Sequence, residues 1–366
     1  MNSNGSAKEV LKILVLGTLP PPIGGTTVLL KTLVDDLGER EDVQLRIINT
    51  GGIRKNGIRS VGRLIGSLLA IVVGATRVHV ISAHLNDMPF AYLGLFTVLA
   101  GRLLGRPVVM RKFGGNPFRL GRVGNWMAYK VMRLANVFLV ETRALVKEAG
   151  TKGASNVQWY PNNRPTPVVL RKDQNGKKEC RRFFFLGHVK KEKGICELIE
   201  ASERLPEDVC VDVFGPFTSD LSERDFLGKQ RIRYRGIVAP EDVSDLLRNY
   251  DAIVLPTYNA CEGYPGVVIE GYMSGLPVVC TRWQALPEIV DETCGILVPP
   301  RDPDALYKAM KLLSEDQNLF DRLSRGALLK SLDFDSKTWT ERFVNICRTL
   351  VSGGQTRPAG RFAHAR

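Results

Sequence analysis

Residues 183–204 read Phe-Phe-Phe-Leu-Gly-His-Val-Lys-Lys-Glu-Lys-Gly-Ile-Cys-Glu-Leu-Ile-Glu-Ala-Ser-Glu-Arg. Phe183 to Leu186 is a continuous apolar run, as expected of a strand covered on both faces. Gly187 to Gly194 is a loop bounded by glycines, and Ile195 to Arg204 is a helical run. Strand, glycine loop and helix in that order open a parallel, doubly wound sheet. The same order occurs once earlier, as the strand Lys12 to Leu16, the Pro/Gly loop Gly17 to Gly25 and the helix Thr26 to Leu37. Two such openings in 366 residues predict two domains, the ordinary division for a chain of this length.

The intervening sequence repeats the alternation. After the first opening, Val43 to Ile48, Val78 to Ser82, Pro107 to Arg111 and Val137 to Val140 read as strands. After the second, Val209 to Phe214, Ala252 to Leu255, Pro277 to Cys280 and Gly295 to Val298 do the same, with helical runs between. Around Tyr160 the pattern breaks into Pro161, Asn162, Asn163, Pro165 and Pro167, then a charged stretch from Arg171 to Arg182. That is the linker candidate. The fold class expected is therefore α/β, with two Rossmann-like domains facing across a cleft. The first spans residues 1–165 and the second 166–335, followed by a closing helix over 336–351. A Gly, Arg and Pro-rich tail, 352–366, is expected to be disordered.

Composition adds a charge asymmetry. The net charge is +13, but up to residue 172 there are 24 Lys/Arg against 9 Asp/Glu, and afterwards 27 against 29. Between 51 and 135 there are 13 basic residues and a single acid, Asp87. An excess confined to one region points to an anionic partner there: a membrane surface, nucleic acid or a phosphorylated substrate. Seven cysteines (180, 196, 210, 261, 280, 294 and 347) form no C-x-x-C pair, the usage of reduced thiols in a cytoplasmic protein. Met1 to Val10 is polar and lacks the apolar run of a signal peptide. Leu64 to Val73 and Phe90 to Leu104 are apolar but fall short of the roughly 18–20 residues a span requires, so both read as buried or interfacial helices.

Chemistry concentrates in Pro256-Thr-Tyr-Asn-Ala-Cys-Glu-Gly-Tyr-Pro-Gly-Val-Val-Ile-Glu270. A buried strand ends at Leu255, at the carboxyl edge where α/β sheets bind ligands. Pro265 suits the first turn of a helix, which would leave the backbone N–H groups of Gly263, Tyr264, Gly266 and Val267 open to an anion or a sugar oxygen. Glu262 lies in the loop, and Glu270 about one and a half turns inside the helix. Alone, two glutamates eight apart mean little; their setting, an E-G-Y-P turn followed by Gly275-Leu-Pro-Val278, is the specific part.

That segment resembles the signature of the family-4 retaining glycosyltransferases, also called glycosyltransferase group 1, whose fold is GT-B. The resemblance extends to Gly187-His-Val-Lys-Lys-Glu-Lys-Gly194, to Gly24-Gly25 after the first strand, to Pro161-Asn162, to Gly236-Ile237, and to Leu286-Pro-Glu288 with Gly295-Ile-Leu-Val-Pro299. It implies a hexosyltransferase-type enzyme moving a sugar from a nucleoside-diphosphate sugar with retention of configuration. Lys193 would stabilise the diphosphate electrostatically, and Gly24, Gly25, Gly187 and His188 would adjoin it. Ile237 would adjoin the nucleoside, Glu270 would bind the ribose hydroxyls, and Glu262 with Gly263 to Val267 would hold the sugar. Lys193, Glu262 and His188 are the catalytic candidates. Glu262 is not implied as a nucleophile of the glycosidase kind, because retention in the family proceeds by same-face attack assisted by the leaving phosphate.

Two positions depart from the family pattern. His188 stands in place of an arginine, giving a group that titrates near neutrality and lacks the guanidinium fork. Phe113, in Arg111-Lys-Phe-Gly-Gly115, stands where many members have histidine; His84, Arg111 and Lys112 are the candidates for meeting an acceptor. The four histidines (79, 84, 188 and 364) are scattered and no D-x-D motif adjoins the acidic loop, so no metal and no cofactor is expected. The acceptor implied is lipid-linked or a glycan in surface polysaccharide (lipopolysaccharide-type) or glycolipid synthesis. The basic region would rest on an anionic membrane surface, making the protein peripheral at the cytoplasmic inner face. Nucleic acid is not an expected partner, since few aromatic residues interleave the basic ones. A sugar-nucleotide epimerase, a nucleic-acid-modifying glycosyltransferase and a non-catalytic relative are the competing readings.

Overall fold

The computed structural model describes residues 9–21, 24–51, 58–86, 90–166, 179–218 and 220–353, the side chains of 58–61, 63–64 and 90–91 excepted. The chain divides into two compact units, Met1–Pro161 with Ser336–Arg366, and Asn162–Asp335. The divide falls four residues before the expected one, and the closing helix belongs to the first unit. Parts of the expected loop Gly17 to Gly25, of the basic region and of the C-terminal tail lie outside the described residues.

The first unit is a six-stranded parallel sheet in the order β2-β1-β3-β4-β5-β6. Its strands are β1 (Leu11–Gly17), β2 (Val43–Asn49), β3 (Val80–Leu85), β4 (Val108–Lys112), β5 (Val137–Val140) and β6 (Val157–Trp159). Every residue of β1 except Lys12 is buried, as a strand covered on both faces requires. The helices between are α1 (Gly25–Gly38), α2 (Ile58–Ala75), α3 (Leu95–Leu103), α4 (Gly121–Leu134) and α5 (Arg143–Thr151). The apolar run expected as one helix from Phe90 starts as a π-helical turn, Phe90–Gly94, before α3 begins. No helix of the described residues is long and apolar enough to cross a membrane.

The second unit is again a six-stranded parallel sheet, in the order β12-β11-β10-β7-β8-β9. It contains β7 (Arg182–Leu186), β8 (Cys210–Phe214), β9 (Ile232–Tyr234), β10 (Ala252–Leu255), β11 (Val278–Thr281) and β12 (Gly295–Val298). Its helices are α6 (Ile195–Ser202), α7 (Val243–Leu247), α8 (Gly266–Met273), α9 (Pro303–Glu315) and α10 (Gln317–Ser331). Ten of the twelve strands coincide with the expected runs to within a few residues. The two without a sequence signal, β6 and β9, are three-residue edge strands (Val-Gln-Trp and Ile-Arg-Tyr), too short and too mixed to be recognised by pattern.

The last helix, α11 (Ser336–Val351), returns to the first unit. It buries Trp339, Phe343 and Cys347. The Trp339 ring meets Trp159 and Tyr160 edge-on at 5.1 and 5.2 Å, and Tyr160 Oη donates to the Trp339 carbonyl at 3.1 Å. At its far end Arg348 joins Arg40 in holding Asp42, with Nη2–Oδ2 at 3.0 Å and Arg40 Nε–Oδ1 at 2.9 Å. The hydrogen bond from Arg40 is the main cause, with Arg348 adding to it, of an Asp42 carboxyl lowered to about 2. An ordinary aspartate titrates near 3.9, so Asp42 contributes stability that is complete above about pH 4 and drains as pH falls toward 2. In thermal melts Asp42→Asn should therefore lie below the wild type at pH 5–7, with the two curves converging near pH 2.

Candidate functional site

In both sheets the strand order reverses beside the strand that opens the unit. The reversal lies between β1 and β3 in the first and between β7 and β10 in the second. Loops leaving the carboxyl ends of such a strand pair run to opposite faces and leave a crevice, the place where doubly wound sheets bind ligands. In the second unit those loops are 187–194, after β7, and 256–265, after β10. They carry His188, Lys193 and Glu262.

The two loops are bound to each other. Tyr258 N–H donates to the Glu192 carbonyl at 2.8 Å and Lys190 Nζ to Asn259 Oδ1 at 3.4 Å, while Trp283 Nε1, from the segment after β11, holds the Asn259 carbonyl at 2.9 Å. Gly194, at φ +76°, closes the first loop against Pro256; a β-carbon there would stand 2.1 Å from the Pro256 carbonyl oxygen, so only glycine fits. This packing brings Lys193 onto Glu262, Nζ lying 2.9 Å from Oε1 and 2.7 Å from Oε2. Thr257 Oγ1 donates to the same Oε2 at 2.6 Å. The pair is largely shielded from water, so each charge depends on the other for compensation.

Glu270 sits in α8, one turn beyond its start. Pro265 is the residue before that helix rather than inside its first turn. Among the described residues the N–H groups of Gly263, Gly266 and Val267 donate to no backbone carbonyl, whereas Val268 N–H returns to the Pro265 carbonyl at 3.1 Å. Glu270 Oε1 accepts from Arg164 Nε at 2.6 Å. Arg164 also donates through Nη1 to Asn162 Oδ1 and to the Asn163 carbonyl, and Asn162 Nδ2 donates to the Tyr264 carbonyl at 2.7 Å. Tyr264 Oη donates to Glu288 Oε2 at 2.6 Å. Arg164 was invisible to sequence reading. The only signal was one arginine in the Pro/Asn run taken as a linker, 106 residues from the glutamate it contacts.

The remaining expected residues divide by unit. His188 is exposed, and Gly187 closes onto the end of β8, its N–H donating to the Phe214 carbonyl at 3.1 Å. Ile237, following Gly236 at φ +92°, is an exposed apolar side chain beyond the carboxyl end of β9. In the first unit Gly24 and Gly25 open α1, where the Thr27 hydroxyl bridges the Gly24 N–H and carbonyl at 3.0 Å. No atom presses closely enough on either to require a glycine.

His84, Arg111 and Lys112 differ from expectation. They are 2%, 2% and 3% exposed, so the side chains expected to meet an acceptor lie in the interior. His84, at the end of β3, is the register partner of Arg111 on β4. Its Nε2 bonds Ser82 Oγ at 2.8 Å, and its ring lies 6.2 Å from Phe113 and 6.0 Å from Phe343. Burial first, and the Arg111 charge second, hold the His84 imidazole far below its ordinary pKa, so it is neutral. The Arg111 guanidinium stacks 4.5 Å from Tyr160, and Lys112 Nζ donates to the Phe113 carbonyl at 3.2 Å. These side chains suit the interior because aromatic faces and carbonyls solvate their charges.

The shielded ion pair of the second unit makes a stability prediction. Lys193→Met should leave Glu262 uncompensated and lower unfolding free energy by about 3 kcal/mol. The double variant Lys193→Met/Glu262→Gln should recover most of that loss in the same urea titration.

Residues 180–316 match the family described as Glycosyl transferases group 1. The D-rhamnosyltransferase WbpZ of Pseudomonas aeruginosa is 29% identical over 168 residues, 44% of this chain and 44% of that protein. The sulfoquinovosyl transferase SQD2 of Arabidopsis thaliana is 25% identical over 278 residues, 69% of this chain and 54% of that protein. The chain thus spans about half the length of these curated relatives. Among solved structures, Anabaena HepE in complex with UDP aligns with a TM-score of 0.74 at 18% identity, over 93% of this chain and 100% of that one. A likeness at that identity speaks for the fold, and it agrees with two parallel six-stranded sheets. Residues 180–316 thus match the glycosyl transferases group 1, in a chain whose fold is GT-B.

Proposed function

We propose that this protein is a retaining glycosyltransferase that uses a nucleoside-diphosphate sugar, needs no metal, and acts on a lipid-linked or glycan acceptor at the inner face of an anionic membrane. The observation that carries this reading is the Lys193–Glu262 pair at the reversal point of the second sheet, beside the open N–H groups of α8. Glycosyl transfer breaks the bond between the sugar's anomeric carbon and the diphosphate, leaving negative charge on the departing oxygen. Lys193 has one N–H beyond the two that serve Glu262, and an ammonium there lowers the energy of that charge as it grows. Glu262, with both oxygens already oriented, accepts from sugar hydroxyls, and Glu270 accepts from the ribose. The acceptor hydroxyl attacks from the same face and passes its proton to the leaving phosphate oxygen, so no carboxylate nucleophile is required. His188 and Ile237, exposed on neighbouring loops, flank the diphosphate and the nucleoside. Support for the donor class comes from HepE, which has been solved with UDP and with UDP-glucose, and from transferase relatives named for rhamnosyl and sulfoquinovosyl groups.

The membrane part of the proposal rests on the first unit. There α3 lies between α2 and α4. The three helices expose Leu69, Leu99, Leu103 (87%), Val123 and Trp126 (58%). Arg102, Arg119, Arg122, Lys130 and Arg133 are exposed beside them, and no acid lies between 88 and 135. Apolar side chains of this kind enter the headgroup region, while each cation contributes about 1 kcal/mol on an anionic surface.

Two measurements test the proposal. In a thermal-shift panel of nucleoside-diphosphate sugars, at least one should stabilise the wild type equally with and without EDTA, and Glu270→Ala should abolish the shift. A panel without response defeats the donor reading. In flotation assays the protein should bind phosphatidylglycerol-rich vesicles and lose most binding in high salt. Leu103→Ser/Trp126→Ser should weaken that binding about tenfold or more. Equal binding to neutral vesicles would remove the electrostatic part.

A further inference from the structure

The roles proposed above leave the buried charge of Arg164 without a task. Arg164 is 7% exposed, the third residue of the second unit, and its guanidinium is satisfied in one particular way. Nε donates to Glu270 Oε1 at 2.6 Å, and Nη1 serves Asn162 Oδ1 and the Asn163 carbonyl. An arginine facing a carboxylate commonly takes both oxygens with its fork. Here it takes one. Among the described residues Glu270 Oε2 accepts no hydrogen bond, and the carboxylate keeps about a quarter of its side chain exposed.

The placement is also costly enough to need a reason. A guanidinium at the start of a helix opposes the helix dipole, and Arg164 lies against the first residue of α8. A β-carbon on Gly266 would stand 2.0 Å from Arg164 Nη2, so glycine at that position is what lets the guanidinium lie there. The backbone holds it as well. Arg164 N–H donates to the Phe334 carbonyl at 3.0 Å, and Thr166 Oγ1 donates to Asp335 Oδ1 at 2.7 Å. A side chain anchored from both directions does not follow Glu270; Glu270 is set by it.

We infer that Arg164 is a positioning residue for nucleoside recognition: it fixes Glu270 through Oε1 so that Oε2 is presented to a ribose hydroxyl. The inference rests on the donor reading and deepens it by naming what orients the ribose-binding carboxylate. Arg164 itself touches no reacting atom. It acts on the affinity for the nucleoside half of the donor and not on bond breaking.

The test compares binding of uridine, adenosine and guanosine diphosphates with their 2′,3′-dideoxy analogues, by calorimetry, for the wild type, Arg164→Met, Arg164→Lys and Gly266→Ala. The wild type should prefer one ribonucleotide over its dideoxy form by about tenfold, the worth of a hydrogen bond to a charged group. Arg164→Met should lose that preference and raise KM for the sugar nucleotide about tenfold, with kcat within about twofold. Arg164→Lys should restore part of both, because a cation returns to Oε1. Gly266→Ala should behave like Arg164→Met, since its methyl displaces the guanidinium. Circular dichroism establishes that each variant is folded, and Gly266→Ala with Arg164→Lys decide the matter if Arg164→Met is not. A wild type that binds no nucleotide overturns the donor reading and this inference with it. A wild type that binds without ribose preference, or variants that keep the preference, overturn the inference alone.

Discussion

Glu262 carries its charge where little water reaches it, and the carboxyl edge of the second sheet is arranged around keeping that charge compensated. Lys193 supplies the countercharge and Thr257 a further hydrogen bond, and both arrive on loops that could have packed in many other ways. Gly194 removes the β-carbon that would hold the loops apart, and the Tyr258 and Lys190 hydrogen bonds close the remaining distance. An oriented carboxylate beside an ammonium is therefore built into the second unit, and under the proposed function it would lower the reorganisation that binding and charge development demand.

A second ion pair, Arg164 with Glu270 of α8, has a different construction. Lys193 takes both oxygens of Glu262; Arg164 takes one oxygen of Glu270. The first arrangement keeps a charge in place, and the second leaves an acceptor unengaged. The two carboxylates of the E-x7-E segment thus differ less in sequence setting than in how their partners consume their lone pairs.

Much of the architecture was legible in the sequence because strands covered on both faces write themselves as apolar runs, as at Phe183 to Leu186 and Val137 to Val140. Edge strands such as β6 and β9 leave no such mark, and the divide at Pro161 was blurred by the prolines on both sides. Within the candidate site, Lys193, Glu262 and Glu270 were named through the family resemblance. The sequence could not show that Lys193 and Glu262 touch, because that contact joins loops 69 residues apart. Arg164 was lost for the same reason. His84, Arg111 and Lys112 lie deeper than their sequence positions suggested. Polar residues at strand ends usually meet solvent, but here rings from Phe113, Tyr160 and Phe343 cover His84 and Arg111, and Phe118 covers Lys112.

The second unit is one unbroken stretch of chain, entered at Asn162 and left at Asp335, and its two ends lie side by side where Arg164 pairs with Phe334 and Asp335. The first unit is discontinuous, with Trp339, Phe343 and Cys347 of its core supplied by α11. Synthesis runs from the amino terminus, so this gene order inverts the usual sequence of maturation. The discontinuous unit must wait with part of its interior uncovered, while the inserted one has all its residues in hand. Completion of the first unit then falls to the arrival of α11, which follows both sheets in the sequence.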